Sequence, residues 1–220
     1  MRLARGIKVK EHPRAEEARG RVPEIIDSVP PEDLVTAIKR APSLRGMILG
    51  YIAEEMFEKH ILQNSDKIED VRKFDDHDRQ HNKSDRDFVF SGRQYSVQLK
   101  SVQTNSISWR TDLGCLTATV QNDGSDRRPV LLPNSKTVET TNYKKGDYDI
   151  LAVPLFPFTG KWDFAYKRNR DCRLTVSKKY DEETRQYLLA TTEEISYPLR
   201  EGWHSDLLSL CDETIGKRIN

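Results

Sequence analysis

The chain has 220 residues, 36% of them hydrophobic and 32% charged, with 36 Lys/Arg balancing 35 Asp/Glu to a net charge of +1. That is long enough for one sizeable core, polar but within the globular range, and its net charge alone does not point to nucleic acid. Cys115, Cys172 and Cys211 stand far apart with no CxxC pair; this argues against a zinc ribbon or disulfide framework and for a reducing, cytoplasmic compartment.

Residues 1–22 are charged and aperiodic, which predicts an arm or frayed end. They contain no apolar h-region, so no secretory signal is expected. PPEDLVTAIKRAP (30–42) predicts a short helix, with Pro and acids at its start and Lys39 and Arg40 at its end. Ser43 can cap a second helix through SLRGMILGYIAEEMFEKHIL. In it Leu49, Ile52, Ala53, Met56 and Phe57 recur at helical spacing, and Gly46 and Gly50 would permit close packing on a sheet. From residue 86 the pattern changes to strands: DFVF, YSVQLKSV, SISWR, CLTATVQ, DILAVPL and WDFAY, with PFTGK as a turn and RLTVS as a further candidate. YDEETRQYLLATTEEI (180–195) reads as helical, and GWHSDLLSLCDETIGKR as a C-terminal helix. The order predicts an α/β (α+β) fold: a mixed central sheet flanked by helices, with an arm and short helix over 1–42 and one continuous domain over 43–220. The longest apolar run, ILAVPLFPF (150–158), is too short and Pro-rich to span a bilayer, so no membrane partner is expected.

The stretch SDRDFVFSGRQYSVQLKS (84–101) carries the chemistry. With Gly92-Arg93 as a two-residue turn, Phe88, Phe90, Tyr95, Val97 and Leu99 share a core face, and Asp87, Gln98 and Lys100 share the other. Asp87 then faces Gln98 directly, with Cβ atoms about 5 Å apart. A carboxylate and an amide oxygen at that separation can hold one hard divalent cation, which acidifies a bound water. The Lys100 ammonium, two residues on, can orient that water or offset phosphoryl charge.

Asp87, ten residues, then Gln98-Leu99-Lys100 resembles the core of the PD-(D/E)xK nucleases, in the Gln-bearing form found in some restriction and intron-associated endonucleases. GYIAEE resembles the helix that sends a Glu toward the metals, here Glu54, with Glu55 as rival. DYDILAVPLFPFTGKWDFAY resembles the later strand pair. The resemblance spans roughly residues 44–166. It departs from the family pattern in having Arg86 where the Pro of the motif would stand, in Asp85 as a competitor for Asp87, and in a neutral Gln98.

The resemblance implies a restriction-endonuclease-like core and Mg²⁺-dependent hydrolysis of double-stranded DNA, most simply by a type II restriction-like enzyme acting as a homodimer, with Mn²⁺ as a substitute. Asp87, Gln98 and the Leu99 carbonyl would hold the metal, with Glu54 assisting. The alternatives are a homing, repair or junction-resolving nuclease, or a non-catalytic DNA-binding protein on a decayed nuclease fold.

Charge is distributed unevenly. Residues 54–88 hold eleven acids against seven Lys/Arg, and residues 161–180 seven Lys/Arg against two acids. Lys167, Arg168 and Arg170, with Lys144 and Lys145, are candidate phosphate contacts. In FDDHDRQH (74–81), His77 and His81 stand four apart among acids, a weaker metal candidate. His204 beside Trp203 reads as a core or interface pair.

Overall fold

A computed structural model describes residues 13–21, 24–74, 84–200 and 202–216. The chain forms two compact units, Met1–Ile48 and Leu49–Asn220. The first is helical, with α1 (Pro13–Gly20), α2 (Glu24–Ser28), α3 (Pro31–Arg40) and the start of α4 (Pro42–Phe57). In α3, Glu32 and Asp33 sit in the first turn and Lys39 and Arg40 in the last, the arrangement the helix dipole favours.

In the second unit α4 runs into a single π-turn, Glu58–Leu62. Of its expected buried stripe, Ala53 and Phe57 are buried and Met56 packs at the core's edge. Leu49 and Ile52 remain 39% and 37% exposed, so the stripe reaches the core only from Ala53 onward. Open space lies beside Gly46 and Gly50, so neither serves a close approach.

The main sheet has five strands in the order β1 (Ile68–Lys73), β2 (Arg86–Phe90), β3 (Arg93–Leu99), β8 (Ile150–Pro154), β9 (Phe164–Arg168). Only β3 and β8 are parallel; the other neighbours are antiparallel. The fold is therefore the expected α+β arrangement around a mixed sheet. Because side chains alternate along strands, the sheet feeds two cores. Phe88, Phe90, Tyr95, Val97 and Leu99 pack with Phe57, Leu62 and Leu210 on one side. Leu151 and Val153 of β8 pack with Tyr143, Tyr148, Val120 and Ile195 on the other. There lies a second sheet, β10 (Thr192–Tyr197), β5 (Cys115–Gln121), β4 (Ser108–Arg110), and the hairpin of β6 (Asp123–Leu131) and β7 (Thr137–Asn142). The C-terminal helix α7 spans Leu207–Gly216.

Several sequence expectations are corrected. The helix expected over 180–195 shrinks to one turn, α6 (Glu182–Arg185), with Asp181 accepting from the Thr184 N–H at 2.8 Å. The chain then extends into β10, which pairs with β5 along its whole length. β-branched Thr192 and Ile195 and the waiting edge of β5 outweigh the acid-rich helical composition. RLTVS supplies only an isolated bridge, Leu174 to Leu189. PFTGK is not a simple turn, because a short helix, α5 (Phe156–Thr159), closes on Gly160 at φ +70°. β1 was not expected, and five of its six residues are exposed, so it carries little apolar signal.

Candidate active site

The β2–β3 turn falls on Ser91-Gly92, one residue earlier than the sequence reading placed it. Ser91 and Gly92 both have positive φ, +51° and +71°, the requirement of a type I′ turn. The ladder therefore pairs Phe90 with Arg93, Phe88 with Tyr95 and Asp87 with Ser96. Each residue keeps its expected face but meets a partner two positions away, because the side-chain period is two. Asp87 thus does not face Gln98. It is 6% exposed and accepts from the Ser84 hydroxyl at 2.7 Å and the Gln94 amide at 2.6 Å.

One step beyond the paired residues, Asp85 takes the place expected of Asp87. Its Oδ2 accepts from the Gln98 side-chain amide and from the Leu99 N–H at 2.7 Å. Gln98 is buried, and its Oε1 accepts from the Tyr143 hydroxyl at 3.2 Å. A rotation of the Gln98 amide would turn Oε1 toward Asp85 and let Nε2 donate to that same hydroxyl, so the pair can present two oxygens. Burial first, and then the charge of Asp85, pushes the Tyr143 hydroxyl above its ordinary pKa, so it keeps its proton. Lys100 follows on the same strand. Its N–H donates to the Ala152 carbonyl at 3.1 Å, and its ammonium lies 5.6 Å from the centre of the Tyr143 ring.

Glu54 approaches from α4. Its carboxyl is pushed up to about 7, mainly by burial and next by the negative charge of Asp85, and this outweighs the lowering effect of Arg86. Glu55 is exposed and bonded to Lys73 at 2.6 Å, which lowers its pKa. Arg86 joins helix to strand. Its side chain is fully buried and bonds Glu58 at 2.9 Å, Glu54 at 3.1 Å, Glu55 at 3.3 Å and the Asp85 carbonyl at 2.9 Å. One cation thus sets both acids in place.

The raised Glu54 pKa has a consequence for stability. Because the folded value lies above the unfolded one, its stabilising contribution is complete below about pH 4.5 and is lost as pH rises through about 7. Glu54→Gln removes that loss. In metal-free buffer the variant should gain up to about 3 kcal/mol on wild type between pH 4.5 and 8, measured by urea unfolding across the range. A constant difference would show that Glu54 titrates normally.

The donor set suits a small hard cation. Asp85 and Glu54 bring negative charge together, and Gln98 could add a neutral oxygen with its amide turned, the ligand type Mg²⁺ takes. Among the described residues no group of three His, Cys, Asp or Glu could hold a metal. His77 and His81 lie outside the described residues. His204 exchanges two 2.8 Å backbone hydrogen bonds with Tyr166, and Trp203, a core residue, donates to the Glu194 carbonyl at 2.9 Å.

The expected basic surface divides. Lys167 is buried, bonded to Glu193 at 2.9 Å, and Arg168 is buried and paired with Asp171 and Glu213. Their charges are taken up inside the protein, which removes them as phosphate contacts. Lys144 bonds the Leu131 carbonyl at 3.0 Å, while Lys145 and Arg170 are exposed.

Sequence reasoning missed Arg86 and Tyr143. In the sequence Arg86 stands where the Pro of the motif would be. Its place on the aromatic face of β2, alternating with Phe88 and Phe90, was the available sign that it points inward. Nothing in the sequence links Tyr143 to Gln98.

No protein-family model matches the chain, and no curated protein matches it. Among solved structures, the chain is similar to a bacterial homing endonuclease, I-Ssp6803I, at 18% identity and a TM-score of 0.33, over 63% of this chain and 85% of that one. An overlap that loose carries no weight on function, which is read from the side chains of Asp85, Gln98, Lys100 and Glu54.

Proposed function

We propose that the protein is a Mg²⁺-dependent endonuclease acting on double-stranded DNA, with Asp85 as its strand carboxylate. The observation that carries this reading is the grouping of Asp85, Gln98 and Lys100 on one sheet face, with the high-pKa acid Glu54 beside Asp85. Asp85, Gln98 and the Leu99 carbonyl would hold the metal, Mn²⁺ being able to replace Mg²⁺. Bound there, the metal would acidify a water and draw charge from a phosphoryl oxygen.

The protein groups do the rest. The Leu99 N–H bonds the Asp85 carboxylate and so fixes its direction. With its amide turned so that Nε2 donates to the Tyr143 hydroxyl, Gln98 would present Oε1 beside Asp85. Lys100 supplies a positive charge where the attacking water or the pentavalent phosphorus develops negative charge. Glu54, held beside Asp85 by Arg86, can take a proton from water, the property wanted of a general base.

Cleavage of both strands at a symmetric site favours a type II restriction-like homodimer; a homing, repair or junction-resolving nuclease would use the same chemistry on another substrate. Such an enzyme works inside the cell. No helix among the described residues is long and apolar enough to cross a membrane.

The direct test is cleavage of long, sequence-diverse DNA at low salt with Mg²⁺, Mn²⁺ or EDTA, comparing wild type with Lys100→Ala. Discrete metal-dependent bands, weakened at least about a hundredfold in the variant, are expected. Retarded DNA without cleavage in either metal would instead favour a non-catalytic DNA-binding protein, a reading that the neutral Gln98 sustains.

A further inference from the structure

A cavity of about 210 Å³ opens beside the second sheet. Three cations line it, Lys167, Arg173 and Arg200, against two carboxylates, Glu193 and Glu194, so one positive charge is left over. These groups do not have equal access to solvent. Glu193 is fully buried; it accepts from the Lys167 ammonium at 2.9 Å and from the Arg173 backbone N–H at 2.6 Å. The Trp203 ring lies 5.4 Å from the same ammonium. Lys167 and Glu193 therefore offset each other in the buried wall of the cavity. Its open side carries Glu194, the Arg173 side chain, which is 55% exposed, and Arg200, which is also exposed.

Both exposed guanidinium groups are anchored by neutral partners. Nη2 of Arg173 donates to the Thr192 carbonyl at 2.7 Å, and Nη2 of Arg200 to the Leu113 carbonyl at 2.8 Å. A carbonyl orients a guanidinium without cancelling its charge, and each of these bonds engages one of five N–H donors. The anchors stand at opposite ends of the β10–β5 ladder. Thr192 pairs with Gln121 at one end; Leu113 lies beyond Leu116, which pairs with Tyr197 at the other. They are separated by roughly the length of β10, about 16 Å. Two oriented cations at that spacing suit neighbouring phosphates along a strand better than one small anion. The cavity also lies close to the candidate active site. Lys167 pairs across the main sheet with Leu151, and Leu151 with Gln98. The three form one row on one face, so Lys167 is two strand spacings, about 10 Å, from Gln98.

We infer that this cavity is a second phosphate-binding site, in which Arg173 and Arg200 hold the backbone of the nucleic-acid strand that the active site cleaves. For its substrate the inference rests on the endonuclease reading. A nucleic-acid strand carries a charge on every nucleotide. A strand whose scissile phosphate sits at Asp85 and Gln98 therefore brings further phosphates toward a cavity only two strands away. Lys167 touches no phosphate in this arrangement. Its part is to offset Glu193, so that the buried carboxylate does not repel the strand.

The test is equilibrium binding of a fluorescent random-sequence duplex in EDTA, read by anisotropy across a KCl series, for wild type, Arg173→Gln, Arg200→Gln and the double variant. Each single variant should weaken binding several-fold at low salt and lower the slope of log K against log salt by about one, the double variant by about two. Arg200→Lys should keep the slope, because it keeps the charge. Thermal melting in inorganic phosphate, at ionic strength matched with KCl, separates the sources of the phosphate group. Melting raised by phosphate in wild type but not in the double variant, with DNA binding unchanged, overturns the nucleic-acid source and assigns the cavity to a free phosphate ester. A double variant equal to wild type in DNA affinity, in slope and in its response to phosphate overturns the inference and leaves the endonuclease reading standing. Wild type that binds no DNA overturns that reading. If Arg173→Gln melts early because Glu193 loses a neighbouring cation, Arg200→Gln carries the test alone, and an unchanged slope in it overturns the inference.

Discussion

Asp85→Asn is expected to abolish DNA cleavage, while Asp87→Asn leaves most of it. The two acids sit two residues apart on one face of the same strand, but the type I′ turn assigns them different neighbours. Asp85 reaches Gln98 and the Leu99 N–H; Asp87 is occupied by Ser84 and Gln94. If Asp85 is the ligand, its neutral isostere loses the charge that binds the metal and fixes the water. Metal-derived charge stabilisation is worth several kcal/mol, so single-turnover cleavage should fall about a thousandfold or more. Asp87→Asn keeps a hydrogen-bonding group between Ser84 and Gln94 and should cost less than about tenfold. The reverse ranking would return the metal to Asp87 and require the β2–β3 register to shift in the active enzyme. Melting curves of both variants separate a lost ligand from a lost fold.

The faces of the hairpin were legible in the sequence; its register was not. Alternation of Phe88, Phe90, Tyr95, Val97 and Leu99 dictates which side is core, and the structure keeps every one of them buried. Alternation has period two, however, so it cannot distinguish two registers that differ by a two-residue step. Turn chemistry had to decide between them. Gly92 suits the first position of a II′ turn or the second of an I′ turn, and the I′ form needs a non-glycine residue, Ser91, at positive φ. Nothing local to the sequence favours that choice.

The remaining misses have related causes. α4 was legible as a helix, but which of its apolar residues meet the sheet depends on where the helix crosses it. β10 was hidden by acids that suit a helix start, because its strand character comes from pairing with β5, a partner about 75 residues earlier in the chain. Within the basic cluster at 166–173, Lys167 and Arg168 do not reach the surface because strand β9 is buried along its length. A strand with both faces covered turns even Lys167 and Arg168 inward, to carboxylates that a linear reading cannot bring near.

Arg86→Met is expected to be the most destabilising substitution in the second unit, by about 3–5 kcal/mol in urea unfolding at pH 8. The Met side chain fills a similar volume, so the cost does not come from a cavity. It comes from the acids left behind: Glu54 and Glu58 lose a fully buried cation, while exposed Glu55 keeps Lys73. Arg86→Lys should recover little, because one ammonium cannot make the separate bonds of Nε, Nη1 and Nη2. Placing Arg86→Met in a Glu54→Gln, Glu58→Gln background should restore much of the loss, since the charges needing compensation are gone. If the background restores nothing, Arg86 acts by packing and its ion pairs are incidental. The same variant links stability to activity. Nη1 bonds both the Glu54 carboxylate and the Asp85 carbonyl, so its loss frees the helix acid and the strand acid from each other. Cleavage should therefore fall even at low temperature, where the variant is still folded, and an Arg86→Met, Glu58→Gln variant, which keeps Glu54, should regain part of the stability without regaining activity. That separation would identify Arg86 as a positioning residue, whose place in the motif, immediately after Asp85, lets one buried cation align both acids of the site.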